Sequence, residues 1–402
     1  MLLNDTRYRS RTIQVLTFIL LALGLGWLVE NTVHNLAALG KDFSFDFLWR
    51  TAGYDISQRP IDYTSENTHA RAALVGLLNT LIVAAMACVT ATVLGVFAGV
   101  LRLSNNWIVA RLMTAYVESF RNIPALLWII VIAAVVSEAM PGPAAFRGEN
   151  PSAFMILWDS VAITNRGTYI PTVEFSRSLG QVDIGFTSLS LDALAIFGAL
   201  AISLIANRLL LNHARHQQGM TGERPQIWWK STIVLVMPLI AVLYALGFHL
   251  QYPVLKGMNF AGGLQLRNSL IALWLGLSVY TGAFIAEIVR SGILAISRGQ
   301  TEAANALGLR PGRTMRLVIL PQAMRIIVPP LISQYLNITK NTSLGLAVGY
   351  MDLRSTLGGI TINQTGRELE GMLLMMLIYV CVSLIISGGM NLYNSRIALK
   401  ER

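Results

Sequence analysis

The chain has 402 residues, of which 54% are hydrophobic and only 13% charged, with a mean hydropathy of +0.56. Soluble domains carry about one-quarter charged residues, so this composition excludes a water-soluble globular protein and describes an integral membrane protein. The net charge of +10 needs no nucleic acid to explain it, because the basic residues collect in alternate loops between apolar runs.

In chain order, the apolar runs are 13–29, 74–101, 122–138, 191–206, 231–247, 269–286, 329–350 and 371–390. Each reaches, or extends to, the roughly 20 residues that cross a bilayer as a helix. The expectation is an all-α integral membrane protein of about eight transmembrane helices. A signal peptide is the competing reading of residues 1–33, since Arg7, Arg9 and Arg11 precede an apolar run. No small-residue cleavage site follows, which favours an uncleaved helix.

Orientation follows from the short loops, which keep Lys and Arg on the cytoplasmic side. Arg7, Arg9 and Arg11 open the chain; Arg102 and Arg111 follow the second run; Arg208, Arg215, Arg224 and Lys230 follow the fourth. Arg290, Arg298, Arg310, Arg313, Arg316 and Arg325 load the loop after the sixth run, and Arg396, Lys400 and Arg402 close the chain. Every second loop is basic, which predicts both termini and the loop after the sixth run in the cytoplasm. Cys88 and Cys381 fall inside apolar runs with no Cys or His at ligand spacing, so they are expected to be packing residues and no metal site is predicted.

Two polar features interrupt the apolar runs. Glu118 and Arg121 are three residues apart near the start of the third run, and Glu287 and Arg290 are three apart at the cytoplasmic end of the sixth. Each pair shares a helix face, and the cost of burying charge predicts that such groups point inward and pair. They are candidates for an ion-pair network at the inner mouth of a translocation path; a purely structural lock between helices is the other reading. Lys340 lies about 15 Å along the helix from Pro330, close to the midplane, beside Asn341, Thr342 and Ser343. An ammonium there needs a carbonyl, a carboxylate or water. Pairing with a protein group stays open as the alternative.

The loop 292–325 contains "EAANALGLRPGRTMRLVILP" at 302–321. Its apolar residues recur at helical intervals, which predicts short helices outside the membrane. "SRGQ" at 297–300 reads as a capping box, in which Ser297 and Gln300 satisfy free amides of the helix that begins there. Gly308 is placed to end that helix. Pro311 precedes a second short helix that carries Arg313 and Arg316 toward Pro321.

Glu302, Ala303 and Ala304, with Gly308 four residues on and then Val318, Leu320 and Pro321, resemble the EAA motif of ABC importer permeases. "GLLNTLIVAA" at 76–85, "YVESFRNIPALL" at 116–127, "GAFIAEIVRSGI" at 282–293 and "TKNTSL" at 339–344 are similar to polar-amino-acid uptake permeases. The resemblance covers roughly 75–137 and 269–395, the five-helix type I importer core. With the insertion between, including "NRGTYIP" at 165–171, the chain resembles the larger-type subunit of general L-amino-acid importers.

The implied organisation is an N-terminal helix and periplasmic loop (1–70), the first part of the core (71–138), and an inserted segment with two extra helices (139–268). The second part of the core (269–395) contains the EAA loop, and a cytoplasmic tail (396–402) follows. The resemblance implies a transport subunit, not an enzyme, in the bacterial inner membrane. Its coupling set is Glu302, Ala303, Ala304, Gly308, Arg313, Leu320 and Pro321, and its path or gate set is Glu118, Arg121, Glu287, Arg290, Lys340, Asn341, Thr342 and Ser343. No G-x-x-x-x-G-K-[ST] occurs in the chain, so ATP and Mg are expected on a partner, a cytoplasmic ABC ATPase dimer, with no cofactor bound here. A second related permease, making a heterodimer, and a periplasmic amino-acid-binding protein complete the implied assembly in membrane lipid. A secondary transporter or channel for small polar solutes is the rival reading; it leaves the EAA loop without a purpose. An intramembrane enzyme lacks any H-E-x-x-H or nucleophile elbow.

Overall fold

The computed structural model describes residues 6–38, 42–148, 150–183, 188–223 and 225–397. Of the charges used for orientation, Arg224, Lys400 and Arg402 lie outside the described residues. The first helix, α1 (Thr6–Ala38), spans the first apolar run, and none of its apolar stretch is buried within the chain. A short 3-10 turn at Asp46–Trp49 leads into α2 (His69–Leu101), whose N-cap Thr68 accepts a hydrogen bond from the Arg71 amide.

The third run departs from the sequence expectation of one straight span. Helix α3 (Trp107–Asn122) and helix α4 (Ala125–Glu138) meet at an angle of 108°. Pro124 sits at the break, where its ring and missing N–H forbid a continuous helix and push Ile123 into extended backbone. Glu118 and Arg121 therefore stand on a helix separate from the apolar run 125–138.

After α4 the chain builds small sheets before returning to the membrane. Strands β1 (Ala162–Thr164), β2 (Gly167–Ile170), β3 (Thr172–Phe175), β4 (Gln181–Asp183) and β5 (Ser188–Ser190) precede helix α5 (Leu191–Thr221). Helix α6 (Trp228–Ala245) follows, then β6 (Phe248–Gln251), β7 (Val254–Lys256), β8 (Asn259–Ala261) and β9 (Leu264–Leu266). All pairs are antiparallel, and β2 pairs with β9 while β3 pairs with β6. The segments before α5 and after α6 are thus stitched into one cap. Ala162, Tyr169 and Phe260 form its small core, and Tyr169 Oη donates to Asn259 Oδ1 at 2.8 Å. Helices α5 and α6 form a hairpin tied by Ser231 Oγ donating to Asn207 Oδ1 at 2.6 Å, with 6% and 0% of their apolar stretches buried in the chain. Faces of that kind suit lipid or another subunit.

The packed centre is α2 against α7 (Asn268–Leu294), with α4 alongside. Its core joins Val83, Ala87 and Ala91 of α2, Ile129 of α4 and Leu273, Leu277 and Ile285 of α7 to residues of the following helices. Close approach is enforced by glycine: a Cβ on Gly95 would lie 2.5 Å from Ile285 Cβ, and one on Gly99 would lie 2.6 Å from the Ala286 carbonyl. Small residues of this kind let membrane helices pack backbone to backbone, where dispersion replaces the missing hydrophobic drive.

Beyond α7 come α8 (Arg298–Ala306), α9 (Pro311–Thr314) and, through a π-helical turn at Met315–Ile319, α10 (Leu320–Asn341). The stretch Pro311–Val348 is one continuous helical span candidate of 38 residues. The second short helix expected in the loop is thus the first part of the seventh span; Pro321 lies inside this continuous helix, directly after the π-helical turn at Met315–Ile319 that accommodates its missing N–H. Short helices α11 (Leu353–Ser355) and α12 (Ile362–Thr365) turn the chain into α13 (Glu368–Ile397). Among the described residues seven helices are long and apolar enough to span a bilayer, and the bent α3–α4 pair makes an eighth.

Candidate functional site

In the loop 292–325, α8 starts after its N-cap Ser297, whose side chain makes no capping bond. The capping box read from "SRGQ" is therefore not formed. Gln300 is engaged elsewhere: its Oε1 accepts from Gln322 Nε2 at 3.2 Å, tying α8 to the first turn of α10. Glu302 and Ala303 are exposed, while Ala304 is 4% exposed. Gly308 ends the helix at φ +74°, a left-handed geometry that costs a side-chain-bearing residue about 1–2 kcal/mol. The Leu309 amide closes the turn onto the Ala304 carbonyl at 3.1 Å, and Leu307 beside it is 81% exposed. Arg313, Leu320 and Pro321 are exposed on the start of the next helix, across the Gly308 turn from Glu302.

Above the loop the charged side chains converge: the Glu287–Arg290 pair that spacing suggests forms, whereas Glu118 and Arg121 find their partners on other helices. Glu287 is the hub. It meets Arg102 Nη1 at 2.5 Å, Arg290 Nη2 at 3.0 Å and Arg121 Nη1 at 3.8 Å. Glu118 approaches Arg102 Nη2 at 4.0 Å, so the partners of Glu118 and Arg121 come from α2 and α7 and not from each other. The Arg121 guanidinium also stands 5.5 Å from the centre of the Phe284 ring. Arg102 is the residue that sequence reasoning missed, having counted it only as a loop charge. Its side chain is 8% exposed, and a guanidinium so buried has to be paired. The network joins the ends of α2, α3 and α7.

Lys340 occupies the last turn of α10, exposed within this subunit, and among the described residues no carboxylate lies within 4.0 Å of it. The helix tightens to 3-10 geometry over Thr342–Val348. There the Thr342 hydroxyl donates to the Thr339 carbonyl at 2.8 Å and the Ser343 hydroxyl to the Lys340 carbonyl at 2.8 Å. Thr342 is fully buried and Asn341 half-buried. The structure thus keeps Lys340 and Asn341 at the end of α10, with Thr342 and Ser343 in the turn that follows, apart from the Glu287 network at the helix's other end.

Further polar groups inside the helices were not singled out from sequence. Thr90 of α2 contacts Ser278 Oγ at 2.5 Å and accepts from Trp274 Nε1 at 3.1 Å, both on α7. At the end opposite the loop 292–325, Asn79 Nδ2 donates to the carbonyls of Gln58 and Met351 at 2.9 Å each. Tyr350 Oη donates to the Asn79 carbonyl at 2.9 Å. Asp352 is fully buried and caps α11 by accepting from the Ser355 amide at 2.9 Å; burial pushes its carboxyl above the usual carboxylate range. The available signal was a lone carboxamide, Asn79, inside the apolar run 74–101, since polar groups at such positions are kept only with partners.

Comparison with known proteins agrees with this architecture. Residues 227–399 match the family described as binding-protein-dependent transport system inner membrane component. The chain is 58% identical to the glutamate/glutamine/aspartate/asparagine transport system permease protein BztB of Rhodobacter capsulatus, over 100% of this chain and 96% of that one. It is 44% identical to the putative amino-acid ABC transporter permease protein YhdX of Escherichia coli K12, over 98% and 95% of the two chains. It is 40% identical to the general L-amino acid transport system permease protein AapQ of Rhizobium johnstonii, over 99% and 94%. These alignments run through the inserted cap and the α5–α6 hairpin as well as the core, so the chain belongs to the amino-acid ABC transporter permeases, as a multi-pass, larger-type subunit whose ATPase is a separate chain.

Proposed function

We propose that this permease imports acidic amino acids and their amides across a bacterial inner membrane, as one of two different permease subunits, with both termini in the cytoplasm. The observation that carries the substrate class is the 58% identity, over the whole chain, to a permease named for glutamate, glutamine, aspartate and asparagine. The heterodimer is supported by similarity to two differently named permeases of one organism, to BztB at 58% identity over the whole chain and to BztC at 39% over 116 residues, 29% of the chain. A periplasmic binding protein delivers substrate, and a cytoplasmic ATPase dimer holds ATP and Mg.

In this reading α8, with Glu302, Ala303 and Ala304 and its stop at Gly308, docks on the ATPase. Closure of the ATPase dimer moves α8, and through the Gln300–Gln322 contact the base of α10. Release of substrate then requires the Glu287 network to loosen at the inner end of α7, so ATP binding works by stabilising one of two states and not by touching substrate. Lys340, with Asn341 to Ser343, offers an ammonium and hydroxyls to a substrate carboxylate along the path.

The test is uptake of a panel of labelled amino acids into vesicles carrying the reconstituted complex. ATP-dependent, binding-protein-dependent uptake of glutamate, glutamine, aspartate and asparagine is expected. Uptake confined to basic or aliphatic amino acids would refute the substrate class, and uptake without any ATPase subunit would refute the coupling.

A further inference from the structure

Past the Gly308 turn, Arg310, Arg313 and Arg316 line a single groove of about 640 Å³ together with Gly312 and Leu317. Arg313 and Arg316, three apart, share one face of the continuous helix, and Arg310 is the extended residue that caps its start, so three like charges crowd together. All three are exposed, and among the described residues none has a carboxylate within 4.0 Å. The loop 292–325 holds Glu302 as its only acid, and Glu302 stands on α8 across the turn. The groove is thus a concentrated, uncompensated positive site.

Its setting points to the ligand. Pro311–Val348 is one continuous span candidate, so Arg313 and Arg316 stand on the membrane helix itself, within about 10 Å of its start, with Arg310 at its N-cap. Interleaved with them are Met315, Leu317 and Leu320, 46%, 62% and 43% exposed. A guanidinium fork beside exposed aliphatic side chains, at the foot of a membrane helix, matches the junction of lipid phosphate and acyl chain. An acidic protein surface needs no such apolar lining.

We propose that the Arg310–Arg313–Arg316 groove seats the phosphate headgroup of an anionic phospholipid of the membrane leaflet from which the loop emerges, with Leu317 against its acyl chains. Arg313 then belongs to a lipid site and not to the ATPase-docking surface, which is confined to α8. The site keeps the foot of α10 at one depth in the membrane while the ATPase shifts it sideways through α8. It does not depend on which amino acid is carried.

The experiment uses the complete complex, purified in detergent and stripped of native lipid, titrated with fluorescent phosphatidylglycerol against phosphatidylcholine of the same chain length. Phosphatidylglycerol is expected to bind without displacement by phosphatidylcholine. Replacement of all three arginines (R310Q, R313Q and R316Q together) should weaken it on the order of 100-fold, at roughly fivefold per arginine, while three lysines should retain most of the affinity. Should the triple glutamine variant not assemble, single R313Q is expected to lose about fivefold against wild type. Unchanged phosphatidylglycerol affinity in the glutamine variants would overturn the proposal. So would equal displacement by inorganic phosphate, which would make it a free-anion site. Loss of the ATPase subunit with lipid binding intact would assign the arginines to the protein partner instead.

Discussion

Among the described residues, replacing Glu287 with glutamine removes the only carboxylate within 3.5 Å of Arg102 and leaves that side chain, 8% exposed, with Glu118 at 4.0 Å as its remaining anion. Removing one partner of a buried pair costs about 3–5 kcal/mol. Glu287 is 26% exposed and water reaches part of the network, so about 2–3 kcal/mol is the better magnitude here. Arg121→Gln deletes a contact of 3.8 Å from a side chain 34% exposed and should cost under about 1 kcal/mol. Size scaling gives roughly 1–2 °C per kcal/mol for a chain of this length, so Glu287→Gln should lower the midpoint of thermal aggregation in detergent by about 2–6 °C and Arg121→Gln by about 1 °C. The decisive variant is the pair Arg102→Met with Glu287→Met, which deletes both charges at similar volume. It should be more stable than Glu287→Met alone, because the unpaired guanidinium is gone. If the double variant loses as much as the two single losses added, Arg102 and Glu287 are not coupled and the account of the network fails.

Glu302→Arg and Gly308→Trp should leave membrane insertion intact and abolish uptake while ATP hydrolysis continues at a basal rate; normal uptake by both would remove α8 from coupling. Lys340→Met should assemble with its ATPase and hydrolyse ATP yet lose most uptake and most stimulation by loaded binding protein, and full uptake in a well-assembled complex would take Lys340 out of the path. Asn79→Ala leaves the carbonyls of Gln58 and Met351 without their shared donor and should cost about 1–3 kcal/mol, read as a lower aggregation midpoint with no change in substrate preference. Gly76→Val should abolish folded protein, since a Cβ there would meet Thr356 Oγ1 at 2.1 Å and the Asp352 carbonyl at 2.8 Å.

Membrane residence, the span count and the stop of α8 at Gly308 were legible in the chain because each depends on local properties. A 20-residue apolar run spans hydrocarbon whatever its neighbours, and a glycine four residues past Ala304 can take φ +74° without help from elsewhere. What depended on distant partners was not legible. Pro124 marked a break, but the 108° angle is set by how α3 and α4 each pack on α7. The nine short strands have three or four residues each, too few for a period of two to stand out, and the decisive pairings, β2 with β9 and β3 with β6, bridge two helices. The capping box failed because Gln322, distant in sequence, offers Gln300 a partner. Sequence spacing put Glu118 with Arg121 and Glu287 with Arg290, since residues three apart share a helix face. Only the convergence of α2, α3 and α7 brought Arg102 to Glu287 and made it the buried member of the network, because Coulomb attraction acts through space and the order of residues along one helix says nothing of charges on another.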